Sequence, residues 1–139
     1  MITGELQIRP RYGEVDQMGY VYHANYVSYC HQARTELLRK YGINDSVLEE
    51  NNVILPVISF SIKYLKPAFY DEPLTIKTTV HEFPEVRFNF EFEIFNQENI
   101  KVSTAKSTIV FADSTSRFPM GVPDFVEKSL RKFFKPILL

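Results

Sequence analysis

The chain has 139 residues, a hydrophobic content of 45% and a formal net charge of −1. A chain of this size buries enough surface to fold as a single domain, residues 1–139, without disulfides or a structural metal. The near-zero net charge argues against a broad nucleic-acid-binding or anionic-membrane surface.

The sequence points to a reducing compartment. Cys30 is the only cysteine, so there is no disulfide framework, and the cytoplasm is the expected location. The segment from Met1 to Glu14 lacks the apolar stretch of a secretory signal. No apolar run approaches the roughly 20 residues that cross a bilayer. We therefore expect a cytoplasmic protein with no stable membrane insertion.

The predicted elements begin with a strand from Leu6 to Tyr12 that is interrupted at Pro10. From about Ala24 to Tyr41 the apolar residues recur at the spacing of an α-helix, which Gly42 ends. The apolar stripe of this helix consists of Tyr26, Cys30, Ala33, Leu37 and Tyr41. One further helical turn is expected between Asn44 and Asn52.

Four segments of alternating apolar and polar residues follow, and they predict four strands. These run from Ile58 to Tyr64, Leu74 to Val80, Val86 to Ile94 and Ile100 to Ala112. Pro123 then opens a predicted helix from Asp124 to Phe134. This order predicts an α+β fold, with a five-stranded antiparallel sheet wrapped around one long central helix and a short C-terminal helix. Self-association is the expected way to cover the remaining apolar surface or the sheet edge.

The connection between the first strand and the long helix contains the segment EVDQMGYVYHANY, from Glu14 to Tyr26. In it, Asp16 precedes a run of apolar and aromatic residues, and Gly19 permits a tight turn. The helix is expected to begin near His23, where unpaired N–H groups and a partial positive charge can stabilise the oxyanion of an acyl transfer. Asp16 is then either a general base or nucleophile beside that helix end, or an acceptor of turn hydrogen bonds.

Two segments carry a family resemblance: RYGEVDQMGYVYHANY, from Arg11 to Tyr26, and ARTELL, from Ala33 to Leu38. They resemble the hotdog-fold acyl-CoA thioesterases, in the branch of 4-hydroxybenzoyl-CoA thioesterase and the thioesterase of the Tol-Pal gene cluster. Looser matches are IKYLKPA (Ile62 to Ala68), DEPL (Asp71 to Leu74) and Arg117 near Pro119. The resemblance covers nearly the whole chain and implies a hotdog fold, in agreement with the predicted order of elements.

The resemblance implies roles for the matching positions. Asp16 corresponds to the family's catalytic aspartate, and the backbone N–H of His23 to the donor that polarises the thioester carbonyl. Tyr12 and the His23 side chain are also implied to be catalytic. Tyr22 and Asn25 would line or brace the site. The resemblance further implies two subunits that join their sheets edge to edge, as a homodimer or homotetramer, with each active site at the interface.

Gly19 and Lys66 are further expected contacts of the acyl-CoA substrate, Lys66 because coenzyme A phosphates attract cations. The other cations available on strands and loops are Lys63, Arg87, Lys106 and Arg117, each of which is also typical of an ordinary charged surface. No cofactor and no metal is expected, because His23, His31 and His81 do not have the spacing of metal ligands.

Two further side chains have a functional and a structural interpretation. Cys30 and His31 stand where the family more often has Phe and Glu. Adjacent helical residues point about 100° apart, so Cys30 is predicted to be a core residue and not a nucleophile activated by His31. Glu36 is a reserve catalytic acid, since other hotdog thioesterases place their acid on the long helix; the alternative is a solvated helix residue.

The predicted function is hydrolysis of an acyl-CoA thioester to a carboxylic acid and free coenzyme A. One alternative keeps the fold and changes the reaction, to an acyl-carrier-protein thioesterase or a hotdog dehydratase in which Asp16 and His23 form the acid–histidine pair. Another alternative is a non-catalytic acyl-CoA-binding protein.

Overall fold

The computed structural model of the chain describes residues 1–134. Its strands are β1 (Ile2–Ile8), β2 (Val53–Ile54), β3 (Val57–Tyr64), β4 (Leu74–Val80), β5 (Arg87–Phe95), β6 (Lys101–Asp113) and β7 (Pro119–Met120). Its α-helices are α1 (Asn25–Lys40), α2 (Asp45–Glu50) and α3 (Asp124–Leu130), and single 3-10 turns lie at Tyr12–Glu14 and Arg131–Phe133. None of the helices in this part of the chain has the length and apolar character needed to cross a membrane.

The five long strands form one antiparallel sheet in the order β1-β4-β5-β6-β3. The two-residue strands β2 and β7 both pair with the end of β6. Because side chains alternate across a strand, one face of β5 presents Phe88, Phe90 and Phe92, and each of these is at most 2% exposed. Burying a side chain of this size contributes about 2 kcal/mol, so this inner face is the main part of the core.

Helix α1 lies across the inner face and packs against β1 and β4. Its predicted apolar stripe is confirmed, since Tyr26, Cys30, Ala33 and Leu37 are all buried and Tyr41, at the end of the stripe, is half-buried. Gly4 on β1 permits the close approach, because a Cβ at that position would lie 3.0 Å from Leu37 Cδ1. The sheet therefore wraps around α1 and covers one side of it.

The predicted fold class is confirmed, with differences at the ends of elements. The strand predicted from Leu6 to Tyr12 is wrong in its bounds: β1 is Ile2–Ile8, and it pairs over its whole length with β4, from Ile2 opposite Val80 to Ile8 opposite Leu74. After Pro10 the chain turns, because the Arg11 N–H binds the Glu14 carboxylate and the Glu14 N–H binds the Arg11 carbonyl.

The other differences are small. The helix predicted from Asp124 to Phe134 ends at Leu130 and continues as a 3-10 turn. The expected turn after α1 is confirmed as α2. The side chain of Asn44, at its N-cap, accepts a hydrogen bond from the Val47 N–H in the first turn at 3.0 Å. The strands β2 and β7 were not predicted.

Candidate active site

The loop that carries Asp16 is a tight turn closed by its own backbone. The Asp16 N–H donates to the Tyr20 carbonyl (2.8 Å) and the Gly19 N–H donates to the Asp16 carbonyl (3.0 Å). Gly19 has a φ of +78°, a left-handed conformation that favours glycine. An isolated bridge between Val15 and Val21 holds the two sides of the turn together. The turn expected at Gly19 is therefore present.

The Asp16 carboxylate takes part in this turn through one oxygen. Oδ1 accepts hydrogen bonds from the N–H groups of Met18 (2.9 Å) and Tyr20 (3.2 Å). Within residues 1–134, no hydrogen bond reaches Oδ2 of this half-buried side chain. The turn thus fixes the carboxylate through Oδ1, and Oδ2 can act on another molecule.

Glu14 fastens the start of this loop to α1. Its backbone carbonyl accepts from the Tyr22 N–H and from the Asn25 Nδ2, both at 2.8 Å. Its Oε1 accepts from the Arg11 N–H (2.7 Å) and from the hydroxyl of buried Tyr29 (3.0 Å). These contacts fix the position of the loop relative to the first turns of α1.

The N-terminus of α1 has no side-chain cap. The helix begins at Asn25, and Ala24 at the N-cap provides no side-chain hydrogen bond. In the part of the chain that the structure describes, the His23 N–H has no acceptor. The His23 carbonyl accepts from the Tyr64 hydroxyl at 3.0 Å, which anchors this peptide segment to the end of β3. Such a helix end attracts a negatively charged oxygen.

Asp16 and the helix end share one cleft of about 350 Å³. Its lining residues are Asp16, Tyr20, Val21, His23, Tyr26, Tyr64, Leu65, Lys66 and Pro67. Three of the predicted site residues, Asp16, His23 and Lys66, therefore meet at the same opening.

The other predicted site residues lie outside the lining of the cleft. Tyr12 is 80% exposed, with its ring edge-on to Tyr70 at 5.8 Å between centroids. The Tyr22 ring packs against the His23 ring at 4.4 Å between centroids, tilted by 44°. Asn25 braces the loop through the Glu14 carbonyl, and Gly19 forms the turn. Their contribution to substrate binding stays a prediction.

Sequence reasoning did not single out two aromatic residues of the cleft, Tyr26 and Tyr64. Their rings pack edge-on at 5.1 Å. Burial raises the pKa of Tyr26 to about 12 and also raises the pKa of Tyr64, so both hydroxyls stay protonated at neutral pH. Tyr64 ends the inward-facing alternation of β3, and Tyr26 begins the stripe of α1. The sequence signal that could have found this pair was that each residue lies at the end of a predicted periodic pattern.

The alternative catalytic side chains do not fit. Cys30 is 1% exposed, and burial raises the pKa of its thiol to about 12, so the prediction of a core residue is confirmed. Glu36 is exposed and pairs with Arg39 on the surface of α1. Lys106, one of the cations considered for coenzyme A, pairs with Glu91 at 3.9 Å on the outer face of the sheet. Among residues 1–134, no three acidic, histidine or cysteine side chains are grouped as metal ligands.

The fold resembles known thioesterase structures. The structure of a DHNA-CoA thioesterase from Staphylococcus aureus matches with a TM-score of 0.83 and 27% identity, over 96% of this chain and 87% of that one. The hotdog fold expected from the resemblance is thereby confirmed.

Sequence comparison identifies the family to which the chain belongs. The profile of the thioesterase-like superfamily matches residues 10–130, so the chain belongs to that superfamily. A putative acyl-CoA thioesterase, YneP, from Bacillus subtilis is 32% identical over 129 residues, covering 90% of this chain and 94% of YneP. A chloroplastic acyl-acyl carrier protein thioesterase, ATL2, from Arabidopsis thaliana is 33% identical over 132 residues, covering 93% of this chain and 69% of ATL2.

Proposed function

We propose that the chain hydrolyses acyl-CoA thioesters to a free carboxylic acid and coenzyme A. The observation that carries this proposal is that Asp16 and His23, at the uncapped N-terminus of α1, line one cleft. Membership of the thioesterase-like superfamily and the similarity to an acyl-CoA thioesterase support it.

In the proposed mechanism the thioester carbonyl oxygen accepts a hydrogen bond from the free His23 N–H. Attack on the carbonyl carbon moves negative charge onto this oxygen. The N–H group and the partial positive charge of α1 stabilise that charge more strongly in the transition state than in the substrate. The Tyr64 hydroxyl holds the His23 carbonyl, so the peptide group that follows the donor is fixed before substrate binds.

Asp16 acts through Oδ2 in one of two ways. As a general base it takes a proton from water, the resulting hydroxide adds to the carbonyl carbon, and the C–S bond breaks as the thiolate leaves and recovers the proton. As a nucleophile it adds to the carbonyl carbon itself, the thiolate leaves, and water hydrolyses the mixed anhydride. Both routes use an oxygen that the turn leaves free.

The remaining site residues take supporting roles in this proposal. Lys66 lines the cleft and in this proposal supplies a cation for a phosphate of coenzyme A. The His23 side chain forms a wall beside the carbonyl, and the Tyr22 ring packs against the His23 ring. Asn25 and Gly19 hold the loop, and Tyr12 offers an exposed ring at its outer end. We place the reaction in the cytoplasm, as expected for a chain whose one thiol is unpaired.

We further propose that the chain acts as a homodimer joined through β3. This strand pairs with β6 on one side, and within residues 1–134 no strand covers its other side. Val57 and Ile58 on this strand and Leu65 just after it are 50–52% exposed. An uncovered apolar sheet edge favours pairing with a second copy, and the cleft opens beside this edge because Tyr64 and Leu65 line it.

The test is Asp16→Asn. An Asn side-chain oxygen still accepts from the Met18 and Tyr20 N–H groups, so the turn keeps its hydrogen bonds while the base is lost. We expect kcat for acyl-CoA hydrolysis to fall about 10²- to 10⁴-fold, with unchanged thermal unfolding. The matched control is Asp124→Asn, an exposed residue in the first turn of α3. Full activity in a folded Asp16→Asn variant would disprove the mechanism.

A second candidate is hydrolysis of acyl-acyl carrier protein, which the similarity to ATL2 favours. Purified protein should be given the same acyl group on coenzyme A and on acyl carrier protein. A higher kcat/KM for the coenzyme A thioester is expected under our proposal. The reverse preference would assign the carrier protein as the natural substrate.

A further inference from the structure

A second cavity lies between α1 and the sheet. It has a volume of about 160 Å³, and its walls are almost entirely apolar. Its lining includes Val27, Cys30, His31 and Arg34 from α1, and Val57, Phe60, Phe92 and Ser107 from the strands. An apolar cavity of about 150 Å³ is large enough to hold a benzene molecule.

This cavity is aligned with the catalytic cleft along two elements. On α1, His23 and Tyr26 line the cleft, and the next turns contribute Val27 and Cys30 to the cavity. On β3, Tyr64 lines the cleft and Phe60 lines the cavity. At a rise of about 1.5 Å per residue, Cys30 lies about 10 Å farther along α1 than His23. The cleft and the cavity therefore lie one after the other along α1 and β3.

Small side chains on β6 create the space. Ser107 lies opposite Phe60 on β3 and Phe90 on β5, and all three point to the inner face. Ser107 is 6% exposed. Since large aromatic residues surround it, a serine here leaves a gap under α1 that a larger apolar side chain would fill.

Arg34 closes the far end. It lies about 16 Å farther along α1 than His23. Its side chain is 8% exposed, and its Nε has no hydrogen-bond partner in the structure. Its one hydrogen bond within residues 1–134 joins Nη2 to His31 Nδ1 at 3.2 Å. A hydrocarbon chain that reached past the cavity would pack against a charged group and cover it further from water, which is unfavourable.

Resting on the proposed function, we propose that this cavity receives the acyl chain of the substrate and selects for a medium-length, unbranched acyl group. The thioester lies in the cleft, the chain runs along α1 over Val27 and Cys30, and its end fills the space above Ser107. Arg34 sets the upper limit of chain length. In the proposed dimer, the partner covers the open side of the cavity beside Val57, which is 52% exposed.

The first test compares acetyl-CoA, octanoyl-CoA and palmitoyl-CoA with the full chain. The parent should prefer octanoyl-CoA. In Ser107→Leu the new side chain fills the cavity, so kcat/KM for octanoyl-CoA should fall about tenfold or more, while that for acetyl-CoA, which ends in the cleft, changes less than about twofold. The control is Thr104→Leu, on the outer face of the same strand. Equal losses for both substrates, or no loss, in a folded Ser107→Leu variant would overturn the proposal.

The second test is Arg34→Met, which replaces the charged end with an apolar chain of similar length. The ratio of kcat/KM for palmitoyl-CoA to that for octanoyl-CoA should rise about tenfold. It should not change in Arg39→Met, on the exposed side of α1. If Ser107→Leu does not fold, this comparison tests the proposal alone. An unchanged kcat/KM ratio in Arg34→Met would contradict the role of Arg34 as the limit of chain length.

A binding measurement separates this inference from the proposed reaction. The thioether S-octyl-CoA cannot be hydrolysed, and its Kd is measured by calorimetry for the parent and Ser107→Leu. A Kd at least tenfold higher for the variant supports the cavity as the acyl site. If the protein then hydrolyses no acyl-CoA, only the proposed reaction has failed. Equal Kd values would reject the cavity as the acyl site, whatever the activity.

Discussion

Tyr29 stabilises the loop that carries Asp16 without touching the cleft. It is 2% exposed, and its hydroxyl donates to Glu14 Oε1 at 3.0 Å. In Tyr29→Phe the carboxylate loses this donor and keeps the Arg11 N–H. We expect the free energy of unfolding to fall by about 1 kcal/mol. We also expect kcat to fall severalfold with little change in KM, because a displaced Asp16 affects the reaction more than binding.

The measurements are urea unfolding and a full kcat and KM determination. Tyr41→Phe is the matched control, since Tyr41 lies at the other end of α1 and its hydroxyl makes no hydrogen bond within residues 1–134. If both variants keep the kcat of the parent, Glu14 does not position Asp16.

The role of Asp16 was only partly predictable from the sequence. The sequence left two interpretations, a turn acceptor or a catalytic carboxylate. The structure shows that they are compatible, because Oδ1 accepts from two N–H groups of the turn while Oδ2 is left free. Residue spacing can indicate an Asp turn, but it cannot say which oxygen remains available, since that depends on how the loop packs on α1.

The elements were predictable where a periodic pattern was long. The bounds of α1 and the four strands from β3 to β6 follow the pattern within a few residues. The first strand was placed too late because its ends depend on pairing with β4, which starts at Ile2 opposite Val80. A two-residue strand such as β2 has no periodicity to detect, since only its partner on β6 defines it.

Gly4 is the point of β1 at which strand and helix approach most closely. A Cβ there would lie 3.0 Å from Leu37 Cδ1, and Leu37 is 2% exposed. Gly4→Leu should therefore push α1 away from the sheet and lower the free energy of unfolding by about 1–3 kcal/mol, the usual cost of overpacking a core. Urea unfolding measures the loss.

Gly121→Leu is the control for this substitution, because a Cβ at Gly121 meets nothing within 4 Å. It should change the free energy of unfolding by less than about 0.5 kcal/mol. Equal stability of the two variants would mean that Leu37 can move aside at no cost, and that Gly4 does not fix the distance between β1 and α1.

The molecule as a whole presents two different sheet edges. The β1 edge carries polar outward residues such as Glu5 and Gln7. The β3 edge carries exposed Val57 and Ile58 and lies beside both the catalytic cleft and the proposed acyl cavity. Because the two sites open along β3, a partner on that edge would complete them, whereas a partner on β1 would be remote from both.

Ile58→Lys tests this assignment. In a two-fold dimer through β3 the two copies of residue 58 approach the same interface, so the substitution brings in two like charges and removes apolar contact. We expect the parent to have about twice the 16.3 kDa chain mass by light scattering, or about four times if dimers pair further. The Ile58→Lys variant should shift toward 16.3 kDa and lose octanoyl-CoA hydrolysis in proportion to its monomer fraction.

Gln7→Lys places the same charge on the opposite edge and should leave both mass and activity unchanged. A mass change in Gln7→Lys with none in Ile58→Lys would move the interface to β1.

A monomeric Ile58→Lys variant with full activity would show that one chain supplies the complete site. In that case Val57 and the open side of the cavity would have to face water during turnover, which is unfavourable for an apolar acyl chain. The dimer and the acyl cavity are therefore coupled, and light scattering with an activity assay on the same samples tests both.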